Sequence, residues 1–375
     1  MRAVIVGGGI GGVAAALALH QAGLSVSVYE AHPHLAADTG AFLTLAGNGM
    51  AALTQLQAAD PVSAFGFPLT ELKLMDAEGT PIANRPLGAG YRCLRWNELC
   101  GALQAQARQR RIPLAHSARL ESVSENSTGV TATFVDGSTA GGDLLIGADG
   151  LNSTLRPLVD PSAAGRRYAG QQVFYGYSFD ADPPTAPGRI TMVRGQQTAF
   201  GYAVSPSGET YWFARLTADE LPLEQSAQTA TGTWRRHLLA ALRQDPTPAA
   251  DIVAATPDRI RVTNAYDLPD VPRWRTDRML LIGDAAHAAS PATGQGASMA
   301  LEDAVVLGKA LRDTGSIDAA FALYERLRRP RVSRNIATSA RLTAGQYGQP
   351  APPPTSDAEV ARQLTWGSPL TDAPV

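Results

Sequence analysis

Cysteine is scarce: Cys93 and Cys100 are the only two in 375 residues. They lack metal-ligand spacing, which leaves reduced, packed thiols of a cytoplasmic protein as the expectation. An excess of charge of one sign is missing too. Lys and Arg total 32 against 34 Asp and Glu, a net charge of −2, with an isoelectric point near 6.3. That balance excludes the basic face of a nucleic-acid binder. No uncharged apolar run reaches the roughly 18 residues of a transmembrane helix. The opening Met1-Arg2-Ala3-Val4-Ile5-Val6 passes straight into glycine-rich sequence and has no convincing secretory cleavage site. No His/Cys/carboxylate cluster suggests a metal, and no internal repeat is present. What remains is 45% hydrophobic and 18% charged residues, globular material for a large core. The length suggests two domains, with no indication of oligomeric state.

Residues 3–6 form a short apolar β-rich run, followed by glycines and an Ala/Leu-rich stretch over 13–20. A second β-rich run, 25–29, ends at Glu30. Strand, glycine turn, helix and strand within about 30 residues make a βαβ unit. The turn, Gly7-Gly8-Gly9-Ile10-Gly11-Gly12, fits G-x-G-x-x-G through Gly7, Gly9 and Gly12. Glycine lets a pyrophosphate approach the backbone, and the helix N-terminus offers it free N–H groups. Glu30 stands where a carboxylate accepts hydrogen bonds from ribose hydroxyls. This constellation predicts dinucleotide binding but does not separate FAD from NAD.

Helix patterns follow at 49–57 and 96–111, and strand patterns at 112–116, 129–135 and 143–146. From 171 to 216 the period changes. Segments 171–179, 189–193, 199–204 and 210–215 are aromatic and β-branched, separated by turn formers, and predict an antiparallel sheet. Residues 221–255 read as helical, 278–282 as a buried strand, and 294–311 as a long helix. A helical pattern from Ile317 is expected to break near Pro330. The proline-rich run 349–354 is expected to be a loose extension.

Two further segments carry chemistry. Asp143-Leu-Leu-Ile-Gly-Ala-Asp149-Gly150 runs from a strand into a turn before Arg156. It is either a ligand motif or an Asp-capped turn. Arg278-Met-Leu-Leu-Ile-Gly283-Asp284-Ala-Ala-His287 delivers a carboxylate at a strand's carboxyl end, then a loop through Pro291, Gly294, Gln295 and Gly296. His287 reads as a base or as a packed histidine holding the helix start. Tyr175, Tyr177, Phe200, Tyr202, Trp212 and Phe213 form an aromatic wall or ordinary sheet core; Tyr175/Tyr177 and Phe200/Tyr202 are same-face pairs.

Together these three motifs resemble the FAD-dependent aromatic hydroxylases, the para-hydroxybenzoate hydroxylase-like (class A) flavin monooxygenases. The likeness spans roughly residues 1–335, including Tyr324-Glu325-xx-Arg328-xx-Arg331. It implies an α/β fold with an FAD-binding Rossmann-like domain of the glutathione-reductase type, an inserted antiparallel-sheet substrate domain and a long C-terminal helix. The implied division is 1–70, 93–165 and 265–345 for FAD, 71–92 and 166–264 for substrate, and a tail over 346–375.

By this resemblance Gly7, Gly9 and Gly12 line the FAD pyrophosphate and Glu30 holds the ribose. Arg95 reaches the ribityl–phosphate region, Asp149 and Gly150 serve flavin and pyridine nucleotide, and Asp284 bonds a ribityl hydroxyl. Pro291, Gly294, Gln295 and Gly296 flank the isoalloxazine, where backbone N–H groups favour reduced flavin. Ala31 stands where relatives often place a basic residue, so adenosine contacts are fewer. No catalytic acid or base is assigned. The implied activity consumes NAD(P)H, a transient co-substrate, and O2. It hydroxylates or epoxidises a small aromatic, polycyclic or unsaturated molecule through a flavin C4a-hydroperoxide, with FAD held non-covalently. The alternatives are a flavin oxidase or reductase on the same scaffold, or a non-enzymatic FAD-binding protein. A halogenase is disfavoured by the lack of its Trp-rich motif.

Overall fold

The computed structural model describes residues 1–34, 41–222, 231–257, 260–347 and 356–370. Strands Arg2–Val6, Ser25–Tyr29, Leu114–Ala115, Leu144–Gly147 and Met279–Leu281 make a five-stranded sheet. Its order is 279–281, 144–147, 2–6, 25–29, 114–115, with all neighbours parallel. Val6 lies beside both Tyr29 and Gly147, and Gly147 beside Leu281. The carboxyl ends of four strands therefore meet along one edge, where such sheets bind ligands.

The helix Ile10–Gln21 is apolar on every side because it is covered on every side: Val13 to Leu19 are fully buried. One cover is the long helix Gly296–Asp313. The two approach so closely that a Cβ on Gly308 would lie 2.8 Å from Ala18 Cβ. A seven-stranded sheet runs in the order 261–267, 167–178, 210–217, 198–204, 189–194, 71–75, 81–86. All pairings are antiparallel except Arg189–Arg194 with Glu71–Met75, which is parallel. One face packs on helices Thr231–Leu242 and Ala249–Ala254 through Phe174, Phe200, Tyr202 and Trp212. The other gathers Ile190, Tyr211, Tyr175 and Phe213 with Phe42 and Phe67.

Several elements were not apparent in the sequence. Phe42–Leu45, Arg92–Arg95 and Phe67–Pro68 form a small antiparallel sheet, and Leu120–Asn126 and Thr139–Gly142 flank the expected strand Gly129–Phe134 in another. The expected break at Pro330 does not occur: the helix Ile317–Thr343 runs through it. Side chains on both sides of the proline anchor it. Arg328 holds Glu302 and Asp303, Arg329 holds Glu325 and the carbonyl of Pro272, and Arg331 holds Glu302. Those bonds offset the one backbone hydrogen bond that proline removes.

The run 349–354 lies outside the described residues. Beyond it the chain is docked, not loose. The helix Asp357–Leu364 buries Leu364, and Leu370 is buried after it. Buried Lys309 donates to the carbonyls of Arg362 and Gln363, and Arg312 to that of Trp366. Among the described residues, no helix is long and apolar enough to cross a membrane.

Candidate cofactor and substrate site

At the glycine turn, Gly7 has φ +107°, and a Cβ there would lie 2.2 Å from the Ala148 carbonyl oxygen. A Cβ on Gly12 would lie 1.9 Å from the Gly7 carbonyl oxygen. Both glycines are demanded by the protein's own backbone. Gly9 differs: at φ −77° it suits any residue, and a Cβ would meet nothing within 4 Å. It faces open cleft, which is where a pyrophosphate needs backbone unobstructed by a side chain. The helix beyond has no side-chain cap and no acid in its first turn, so its N–H groups are free for an anion. Glu30 steadies the turn from behind, accepting from the N–H of Gly8 at 2.6 Å and of His32 at 2.9 Å. Gln104 Nε2 adds a bond to the Gly8 carbonyl at 3.0 Å.

A cleft of about 700 Å³ opens in front of this turn. Of the predicted cofactor residues, Gly9, Gly150, Asp284, Pro291, Gly294, Gln295 and Gly296 line it. Gly7, Gly12 and Glu30 support it from behind. Asp284 is ringed by protein yet open to the cleft lumen, and burial raises its carboxyl above the ordinary range. Asp149 resolves an alternative left open by the sequence. Its Oδ2 caps the turn, accepting from Thr154 N–H at 2.7 Å and Leu155 N–H at 3.0 Å. Among the described residues its Oδ1 is buried without a hydrogen-bond partner, and burial pushes this carboxyl up as well.

Arg95 is not among the residues lining this cleft; it pairs with Glu209 at 2.7 Å and lies over the rings of Tyr177 and Tyr211 at 4.5 and 5.2 Å. The six-residue aromatic set divides. Tyr175 and Phe213 line the cleft, and Tyr177 shares their face, packed on Tyr211 and Phe42. Phe200, Tyr202 and Trp212 lie on the opposite face, covered by the helices. Each same-face pair was correctly matched, but the two pairs face opposite ways. The sequence reading missed Phe42, Thr44, Leu72, Tyr91, Trp96, Met192 and Arg215, which complete the cleft. Only the hidden strand Phe42–Leu45 and its partner Arg92–Arg95 could have signalled the first of these.

His287 is a packed, buried histidine with a purpose. Its Nε2 donates to Asp303 Oδ2 at 2.6 Å, and the same oxygen accepts the Gly283 N–H at 2.9 Å. Arg328 joins Asp303 at 2.7 Å and Glu302 at 2.6 Å. Burial opposes ionisation of Asp303, but His287 and Arg328 outweigh it and hold the carboxyl well below its usual range. Asn48 links Glu302, at 2.7 Å, to Gln295, at 3.2 Å. Thr293 bonds Asn335 at 2.9 Å, and Ser290 bonds Thr343 at 2.8 Å. Ser290 and Thr293 are thus tied to the helix Ile317–Thr343, and Gln295 and the Gly283–Asp284 turn are braced from one buried ionic network. This is the work of the Tyr324-Glu325-xx-Arg328-xx-Arg331 segment.

A parallel sheet with this fingerprint turn, a second carboxylate turn at 283–284 and a braced loop leading into a helix N-terminus define an FAD-binding flavoprotein. The residues present fit that group: an open cradle at Gly9, an unpartnered Asp149 Oδ1 and an uncapped helix at Gly296. The FAD binding domain family matches residues 1–339, so the chain belongs to it, within the aromatic-hydroxylase type of flavin monooxygenases. It is 33% identical over 358 residues to an FAD-dependent urate hydroxylase of Klebsiella pneumoniae, covering 91% of this chain and 89% of that protein. It is 30% identical over 359 residues to an aurachin C monooxygenase/isomerase of Stigmatella aurantiaca, covering 93% and 90%. Among solved structures, Klebsiella pneumoniae HpxO complexed with FAD and uric acid superposes with a TM-score of 0.82 at 29% identity, covering 98% and 93%.

Proposed function

We propose that this protein is an NAD(P)H- and O2-dependent FAD monooxygenase that hydroxylates or epoxidises a small aromatic or polycyclic molecule. One observation carries the reading. A single cleft joins the flavin-flanking loop 291–296 to an apolar wall of Tyr175, Phe213, Met192, Leu72 and Trp96. Bound FAD supplies hydride acceptance from the nicotinamide and activation of O2. The chain's own part is binding, orientation and exclusion of water. Gly9 and the following helix N-terminus receive the pyrophosphate, and Asp284 a ribityl hydroxyl. The N–H groups opening the helix Gly296–Asp313, with no acid in its first turn, would favour the negative charge that the flavin gains on reduction. The aromatic and aliphatic wall holds a planar substrate in a dry space. No second glycine fingerprint holds the nicotinamide nucleotide, so it docks transiently. Relatives that act on urate and on 3-hydroxybenzoate support a small ring as substrate.

The test is oxidation of NADH and NADPH by the FAD-loaded protein across a panel of phenols, purines and quinolones, with product masses under 18O2. The expected result is a product heavier by one labelled oxygen atom. Cofactor oxidation that yields only hydrogen peroxide with every ring would refute it.

A further inference from the structure

Arg215 is a buried cation without an ion-pair partner among the described residues. It is 7% exposed, and among the described residues its Nε has no hydrogen-bond partner and no carboxylate pairs with it. Its guanidinium carbon lies 6.0 Å from the Phe213 ring centroid, with the Tyr347 and Tyr175 side chains its other interacting neighbours. Burial without a counter-charge draws the guanidinium below its ordinary range. Other interior arginines are treated differently: Arg328 has two carboxylates, and Arg156 donates to two backbone carbonyls. Leaving a buried charge uncompensated is costly, so its retention calls for a partner that arrives from outside.

The location says where that partner sits. Arg215 lines the cleft, and only Asp284 among the other lining residues carries a charged side chain. Asp284 stands at the cofactor end. Arg215 lies on the sheet, on the strand Thr210–Thr217, two residues beyond Phe213 on the same face. In register it stands opposite Val173, while Phe213 stands opposite Tyr175. The wall therefore offers two aromatic rings and Met192 for a flat apolar body, with one forked cation at its edge. A guanidinium matches an oxyanion in geometry as well as charge.

We propose that Arg215 is the substrate anchor, and that the substrate is a planar ring carrying one negatively charged oxygen, as a carboxylate or a ring oxyanion. This rests on the oxygenase reading of the same cleft.

The test titrates FAD-loaded protein, by flavin absorbance perturbation, with matched acids and amides: 4-hydroxybenzoate and 4-hydroxybenzamide, 2-naphthoate and 2-naphthamide, quinoline-4-carboxylate and its carboxamide. At least one anion should bind about tenfold or more tightly than its amide, the effect of a charge-assisted, desolvated contact. In Arg215→Met that preference should vanish while amide affinity and melting temperature hold, and Arg215→Lys should restore part of it. A purely packing role for Arg215 predicts equal loss for acid and amide. Either that result, or no preference for any acid in the wild type, or a preference that survives in Arg215→Met, overturns the proposal. Arg215-dependent anion binding without an oxygenated product keeps the anchor and refutes the oxygenase. Oxygenated neutral rings, with Arg215→Met unchanged, refute the anchor alone.

Discussion

The glycine fingerprint contains two kinds of glycine, and alanine substitution separates them. In Gly7→Ala the new methyl group lies 2.2 Å from a backbone carbonyl oxygen at φ +107°. Positive φ costs an ordinary residue about 1–2 kcal/mol, and an overpacked contact that only backbone movement can relieve adds about 1–3 kcal/mol. A loss of about 3 kcal/mol follows, present with or without cofactor. Gly12→Ala, 1.9 Å from the Gly7 carbonyl oxygen, should behave alike. Gly9→Ala should not. Its backbone is extended and the methyl enters empty space, so the apoprotein should keep its stability or gain up to about 1 kcal/mol from reduced unfolded-state entropy. The same methyl occupies the approach of the pyrophosphate, and FAD affinity should fall by about tenfold to a hundredfold, a loss of roughly 1.5–3 kcal/mol. Urea denaturation of the three stripped variants, with FAD titration by fluorescence quenching, reads both quantities. Gly9→Ala that binds FAD as the wild type does, or that is destabilised as much as Gly7→Ala, refutes the assignment of this turn to the cofactor.

Three further outcomes follow from buried charge. Asp303→Asn leaves Arg328 short of one carboxylate and loosens the Gly283 N–H, so stability should drop by about 3–5 kcal/mol, with weaker FAD binding; a melting temperature equal to wild type refutes it. Asp284→Asn removes a carboxylate open to the cleft lumen, so FAD affinity should fall while the apoprotein's melting temperature holds, and a variant that binds FAD as the wild type does contradicts the placement. Burial draws the Lys309 ammonium down to about 8, so the folded chain sheds this proton before the unfolded one does. The cost is therefore full below pH 8 and is relieved as pH rises towards the unfolded value near about 10.4. Across that window urea denaturation should show the wild type gaining on Lys309→Met, and a flat difference refutes the linkage.

Residues whose identity backbone geometry dictates were legible in the sequence. Gly7 and Gly12 have to be glycine for the strand 144–147 and the first helix to sit where they do, so motif and fold are one fact. The Asp149 and Asp284 turns were legible because each ends a buried strand at the sheet edge. The contacts of Arg95 were not: Glu209 and Tyr211 lie more than a hundred residues away in sequence, and nothing local announces that pairing. Pro330 misled for a related reason. Local propensity argues for a break, and the carboxylates Glu302 and Asp303 that hold Arg328 and Arg331 on either side of it lie on another helix.

The aromatic wall shows a sharper limit. Alternation in a strand fixes which residues share a face, but not which face looks at the cofactor. That phase is set by what covers the sheet. Trp234, Leu238 and Ile252 close the face holding Phe200, Tyr202 and Trp212, and by doing so they leave Tyr175, Phe213 and Arg215 to the cleft. The covered face is completed by the chain itself, and its core can be inferred from composition. The open face is completed only by a ligand, so its residues answer to a molecule that the sequence does not contain. The glycine turn escapes this limit because the chain's own backbone, packed against Gly7 and Gly12, forces glycine there. The open wall of the cleft is built from side chains, and of these Arg215 alone carries a charge.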